Sequence, residues 1–170
     1  HMLDTLEQGI GFHNHPRPSS ERVVVDGVVA VGDRPAVLGA LAAQALGVCF
    51  HPVEAVRAAI NKLDTRSRFR AAGVPVPWFK SVPLDVDYKC LEEVPFPCVV
   101  KPLSLSASRG VIRADSPSEL EAAIVRLSDL LRSTSVLSRR EKTSDTILLE
   151  EYISGRELAI EGFVTNGQFR

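Results

Sequence analysis

The stretch from Phe96 to Ile112 constrains this chain more than any other. Cys98, Val99 and Val100 form a short apolar run that predicts a buried strand, and Lys101 stands at its end. Pro102 stops the strand, because proline has no N–H to give to a ladder. A loop of small and polar residues follows, with Ser104, Ser106, Ser108, Arg109 and Gly110, and Val111-Ile112 predicts the returning strand. A hairpin of this kind holds a cation at a strand tip beside hydroxyls and backbone N–H groups, which suits phosphate oxygens. A solvated lysine beside an ordinary serine-rich turn has the same spelling, so other segments must decide between the two. The pattern Gly-x-x-x-x-Gly-Lys-Ser/Thr is absent, and no P-loop is inferred.

At 170 residues the chain is one large domain or two small lobes, long enough to bury a core. Hydrophobic residues make up 45% and charged residues 24%, the balance of an ordinary globular protein. A net charge of −1 provides no basic field, which argues against nucleic acid as the main partner. No apolar run approaches the length of a membrane span. Asp4 and Glu7 stand where a signal peptide would need an apolar region, so a cytoplasmic location is expected. Three cysteines, Cys49, Cys90 and Cys98, lack metal spacing and read as reduced thiols. His13-x-His15 sits in a proline-broken loop and is not taken as a metal site.

Along the chain, residues 3–22 are polar and interrupted by Gly9, Gly11, Pro16 and Pro18, the composition of a loop or arm. Val28–Val31 predicts a buried strand, Gly32-Asp33 a turn, and Leu38, Leu41, Ala42, Ala45 and Leu46 one face of a helix stopped by Gly47. Together they make one βα unit of a parallel sheet. His51-Pro52 opens a second helical region with Val53, Val56, Ile60 and Leu63 on one face, continuing through helix-favouring residues to Gly73. Val74-Pro75-Val76-Pro77 is a stiff extended linker, and the main boundary is placed at residues 73–77.

Beyond the linker, 78–82 predicts a strand and 85–94 a polar connection. Ser116-Pro117-Ser118-Glu119 spells a capping box, and Leu120, Ala123, Ile124, Leu127 and Leu131 an amphipathic helix. Residues 133–145 carry no periodicity and read as a loop. The last segment runs from Thr146 as a buried strand into Glu150-Glu151, turns at Ser154-Gly155 and re-enters as an alternating strand. Asn166-Gly167 is a strong hairpin signal. Because Arg170 follows so soon after that turn, the chain is expected to be a piece of a longer protein.

Three segments taken in order resemble the ATP-grasp superfamily: Asn61-Lys62; Val99-Val100-Lys101-Pro102 with its serine and glycine loop; and Leu149-Glu150-Glu151-Tyr152-Ile153-Ser154-Gly155-Arg156-Glu157. Within it the chain is most similar to the carboxylate–amine ligases, including amino-acid and dipeptide ligases. The fold implied is α/β: a partial Rossmann-like (pre-ATP-grasp) βα segment, then an α+β nucleotide-binding lobe that stops before the metal-binding half. The implied division is 1–60 for the Rossmann-like part, 61–77 for helix and linker, 78–153 for the small lobe, and 154–170 for the start of a second lobe.

The resemblance implies ATP as the bound nucleotide, with Lys62 and Lys101 on its phosphates and Lys101 also near the adenine. Ser104, Ser106, Ser108, Arg109 and Gly110 would belong to a loop folding over the phosphates. Glu150 would accept from the adenine amino group, the backbone of Glu151, Tyr152 and Ile153 would line the base edge, and Glu157 would hold the ribose hydroxyls. A ribose diol suits a carboxylate acceptor, and lysines offset polyphosphate charge. Magnesium is implied too, with ligands expected in a later segment, and so are a small carboxylate and an amine as substrates. A non-catalytic nucleotide-binding module and a phosphotransferase of the same fold are the alternatives. Neither the carboxylate nor the amine is named by any residue here.

Overall fold

The computed structural model describes residues 24–103, 105, 108–132, 145–165 and 167–170. Predicted features at 3–22, at His13-x-His15 and at 133–144 lie outside them, as do Ser104, Ser106 and Asn166. The described chain runs α1 (Asp33–Leu46), α2 (Val53–Ile60), α3 (Lys62–Ala71), β1 (Phe79–Pro83), β2 (Cys98–Pro102), β3 (Ile112–Ala114), α4 (Pro117–Arg132), β4 (Thr146–Glu151), β5 (Val164–Thr165) and β6 (Gln168–Phe169). A 3-10 turn, Tyr88–Leu91, lies between β1 and β2. None of the described helices is long and apolar enough to cross a membrane.

Four strands form one sheet in the order β1-β4-β2-β3, and every pairing is antiparallel. Side chains alternate between its faces. One face carries Cys98, Val100, Ala114, Ile147 and Leu149, and α4 covers it with Leu120, Ala123, Ile124, Leu127 and Leu131. Leu120, Ile124 and Leu127 are wholly buried, and each contributes about 1.5–3 kcal/mol as an upper bound. The capping box starts α4: Ser116 Oγ accepts from the Glu119 N–H (3.3 Å), and Glu119 Oε2 accepts from the Asp115 N–H (2.9 Å). The connection at 85–94 adds more than polarity, since Leu91 and Val94 turn into this core.

Gly110 brings the β2–β3 loop against α4. Its φ is +78°, and a Cβ there would lie 2.8 Å from Leu127 Cδ1 and 3.0 Å from Leu130 Cδ2. Only a residue without a side chain fits both conditions.

Several expectations are corrected. No strand forms at Val28–Val31: a strand exists through its ladder, and no described strand pairs with this stretch. Val28 and Ala30 instead pack on α1 at Gly39, where an added Cβ would sit 2.9 Å from Ala30 Cβ. Val29 and Val31 remain exposed. In α1 the buried stripe is Gly39, Ala40, Ala42 and Ala43, so Ala45 and Leu46 face outward despite their spacing.

The second helical region is two helices, because Asn61 adopts extended backbone (φ −91°, ψ 112°). Its Oδ1 accepts from the N–H groups of Leu63 (3.0 Å) and Asp64 (3.2 Å), so a side chain competing for backbone donors breaks one helix and caps the next. Residues 156–163 form no strand, and Leu158 and Ile160 are exposed. The hairpin forms further on as β5–β6, where Thr165 pairs with Gln168 across the two turn positions. One more rung, between Phe163 and Arg170, closes it with two 2.8 Å bonds.

Candidate functional site

The second face of the sheet differs in character. Val99, Lys101, Leu148 and Glu150 lie on it, and α3 approaches it with a basic stripe, Lys62, Arg66 and Arg70, spaced one turn apart. Arg70 stacks its guanidinium 3.9 Å from the centre of the Phe79 ring on β1. Arg66 reaches Glu150 as a fork, with Nε 2.7 Å from Oε1 and Nη2 3.4 Å from Oε2. Lys101 donates to Oε2 of the same carboxylate. The Glu150 side chain is only 3% exposed, whereas Arg66 and Lys101 keep 27% and 22%. A buried anion is thus flanked by two cations that still reach solvent.

Burial by itself would raise the Glu150 pKa; the hydrogen bonds and charges of Arg66 and Lys101 outweigh it and hold the carboxyl below its ordinary value. Lys62 stands at the first position of α3, where the helix dipole disfavours a cation. Its Nζ donates to the carbonyls of Leu105 (2.7 Å) and Leu103 (3.5 Å), tying α3 to the loop after β2. Burial, then the charge of Lys101, lower the Lys62 pKa, while Asp33 and Glu150 pull it back. Lys62, Arg66 and Lys101 against Glu150 and Asp33 leave one positive charge in surplus, the sign a polyphosphate needs.

The structure brings Lys62, Lys101 and Glu150 together from three separate segments. It adds Arg66, which sequence reasoning passed over; its signal was the four-residue step from Lys62 on one helix face. An ionised carboxylate offers about four lone-pair positions, and the three donors here occupy all but one of them. Ser108 (φ +56°) and Arg109 are exposed in the loop that Gly110 ends. Glu151 ends β4 opposite Cys98: its N–H donates to Trp78 O (2.9 Å), and its Oε2 accepts from the Trp78 N–H (3.3 Å). The Tyr152 N–H donates to Pro97 O (3.0 Å), and Arg113 lies 4.3 Å over the Tyr152 ring. Ile153 and Glu157 are exposed, and Glu157 forms no side-chain hydrogen bond or ion pair among the described residues.

Cys49, Cys90 and Cys98 are free thiols, and burial followed by the charge of Asp115 pushes Cys98 up to about 11. No group of three or more histidine, cysteine, aspartate or glutamate residues is placed to hold a metal ion among the described residues.

Residues 94–170 match the ATP-grasp domain family. The likeness is to the ATP-grasp superfamily and, within it, to the carboxylate–amine ligases. D-alanine–D-alanine ligase B of Chromobacterium violaceum is 27% identical over 127 residues, which cover 74% of this chain and 38% of that ligase. The L-amino acid ligase of Bacillus licheniformis superposes with a TM-score of 0.56 at 27% identity, over 76% of this chain and 27% of that one. The biotin carboxylase domain of 2-oxoglutarate carboxylase from Hydrogenobacter thermophilus, solved with MgADP, shares the fold. Its TM-score is 0.51 at 19% identity, covering 69% of this chain and 25% of that one. The chain therefore spans well under half the length of these relatives.

Proposed function

We propose that this chain holds the adenine and phosphates of ATP for a ligase that joins a carboxylate to an amine through an acyl phosphate. The observation that supports this most is the convergence of Lys62, Arg66 and Lys101 around the buried carboxylate of Glu150. Such a surplus of fixed positive charge, half-shielded from water, offsets a polyphosphate and the charge that moves during phosphoryl transfer. Lys62 and Lys101 take phosphate oxygens in this reading. The chain from Glu150 to Ile153 reads the base edge, with Oε1 of Glu150 offering its remaining lone pair to the exocyclic amine. Glu157 meets the ribose hydroxyls when the segment after Gly155 closes on the nucleotide. Ser104, Ser106, Ser108, Arg109 and Gly110 cover the phosphates.

In the reaction so read, a substrate carboxylate oxygen attacks the terminal phosphorus and ADP leaves. The amine then attacks the acyl carbon and phosphate leaves. Magnesium would offset phosphate charge in such chemistry, but the described residues provide no cluster to hold it, and no step is assigned to it. We read the chain alone as a nucleotide holder without turnover of its own. Phosphate release from ATP with a panel of amino acids, above a no-protein control, would count against that.

The domain division proposed is 1–60, 61–77, 78–153 and 154–170. Residues 71–75 are exposed, so limited proteolysis is expected there before any cut within α4. The nucleotide reading is tested by titrating ATP and GTP into the chain, with Lys101→Ala and Glu157→Ala alongside. Guanine places a carbonyl where adenine has an amine, and each buried acceptor left unpaired costs about 1–3 kcal/mol. A preference for ATP of roughly tenfold or more is expected. Equal affinity for both nucleotides, unchanged by either substitution, overturns the reading.

A further inference from the structure

We propose that Arg66 is a positioning residue that sets the distance between the two phosphate lysines. Lys62 belongs to α3 and Lys101 to β2, two elements far apart in sequence. Each lysine sits on a flexible four-carbon stem, so the geometry between them depends on how α3 docks on the sheet. Lys62 ties α3 to the loop after β2 and Arg70 stacks on β1, but Arg66 is the contact that reaches the carboxylate Lys101 also holds. It stands one helical turn beyond Lys62 and grips Glu150 through both carboxylate oxygens, while Lys101 holds the second of those oxygens. The three side chains thus form one chain of contacts: helix, carboxylate, lysine. A planar guanidinium fork fixes both distance and angle, which a single ammonium cannot do.

A second consequence concerns Lys101 itself. With Arg66 sharing the carboxylate, Lys101 competes for Glu150 and can turn part of its hydrogen-bonding capacity outward. Without Arg66, Glu150 would have Lys101 as its sole cation and draw the ammonium away from an incoming phosphate. Arg66 thus acts on the phosphates through Glu150 and Lys101, without touching the nucleotide.

The inference rests on the nucleotide reading above, and one experiment separates the two. The affinities of ATP and adenosine are measured for the full chain and for Arg66→Met and Arg66→Lys, with folding checked by far-UV circular dichroism. Adenosine reports the base and ribose contacts, and the ratio of the two affinities reports the phosphate grip. Arg66→Met keeps an unbranched aliphatic side chain without the charge, and Arg66→Lys keeps the charge but not the fork.

Both variants are expected to lose about tenfold in ATP affinity, roughly one charge-assisted hydrogen bond, with a smaller loss for adenosine, whose amine Glu150 also meets, so that the ATP-to-adenosine ratio falls by about threefold or more. A role confined to folding would lower both affinities together. Restoration of ATP affinity by Arg66→Lys would show that charge alone suffices and overturn the proposal. So would an ATP-to-adenosine ratio that Arg66→Met leaves within about twofold of the parent. A parent chain that binds ATP no more tightly than adenosine removes the nucleotide reading itself, and this inference with it. Should Arg66→Met fail to fold, the Arg66→Lys measurement decides.

Discussion

Glu150→Gln changes little in shape and removes one charge, so it isolates the electrostatic part of the cluster. In the parent, Arg66 donates to both carboxylate oxygens and Lys101 to one of them. Hydrogen bonds to charged groups contribute about 1.5–3 kcal/mol each, and removing one partner of a buried pair costs about 3–5 kcal/mol. Arg66 and Lys101 are 27% and 22% exposed, so water relieves part of that loss. The amide oxygen of glutamine also retains one donor, while its NH2 faces a cation. A loss of about 2–4 kcal/mol at pH 7 is the expected balance.

The pH dependence sharpens the expectation. Burial raises the Glu150 pKa and the two cations lower it further than burial raises it, so folding leaves it below 4.5. An acid whose pKa falls on folding contributes stability that is complete above its unfolded pKa and is lost as pH falls through the folded one. The gap between parent and variant is therefore full at pH 7. It narrows below about pH 4.5, by at most about 1.4 kcal/mol per pH unit. Urea unfolding at a series of pH values from about 7 to about 3.5 measures this directly, with equal m-values required for the comparison. A gap under about 0.5 kcal/mol at pH 7, or one that stays the same at the acid end, would refute the reasoning.

Gly110→Ala is expected to cost about 2–4 kcal/mol, combining a left-handed backbone conformation with overpacking against Leu127 and Leu130; urea unfolding gives the value. Leu127→Ala empties a fully buried position between α4 and the sheet, and about 2–5 kcal/mol should be lost in the same assay. Asn61→Ala removes the cap of α3, and a loss of about 1 kcal/mol is expected, with faster amide exchange at Leu63 and Asp64 than elsewhere in that helix.

The sequence by itself determined the elements whose signals are local. The capping box at Ser116–Glu119, the apolar stripe of α4, the strand ending at Lys101-Pro102 and the Asn166-Gly167 hairpin all rest on neighbours within a few residues. Residues so close interact whatever the rest of the chain does. Three motifs in order also carried the resemblance, because each is a short run of residue types that can be read without knowing what it packs against. Tertiary structure alone decided whether Val28–Val31 would be a strand, since a ladder needs a partner that no local pattern contains. It likewise left residues 156–163 irregular despite their alternation. The cluster at Glu150 is the clearest case. Arg66 and Glu150 lie 84 residues apart, Lys101 and Glu150 lie 49 apart, and only the docking of α3 across the sheet puts their charges within reach of one another.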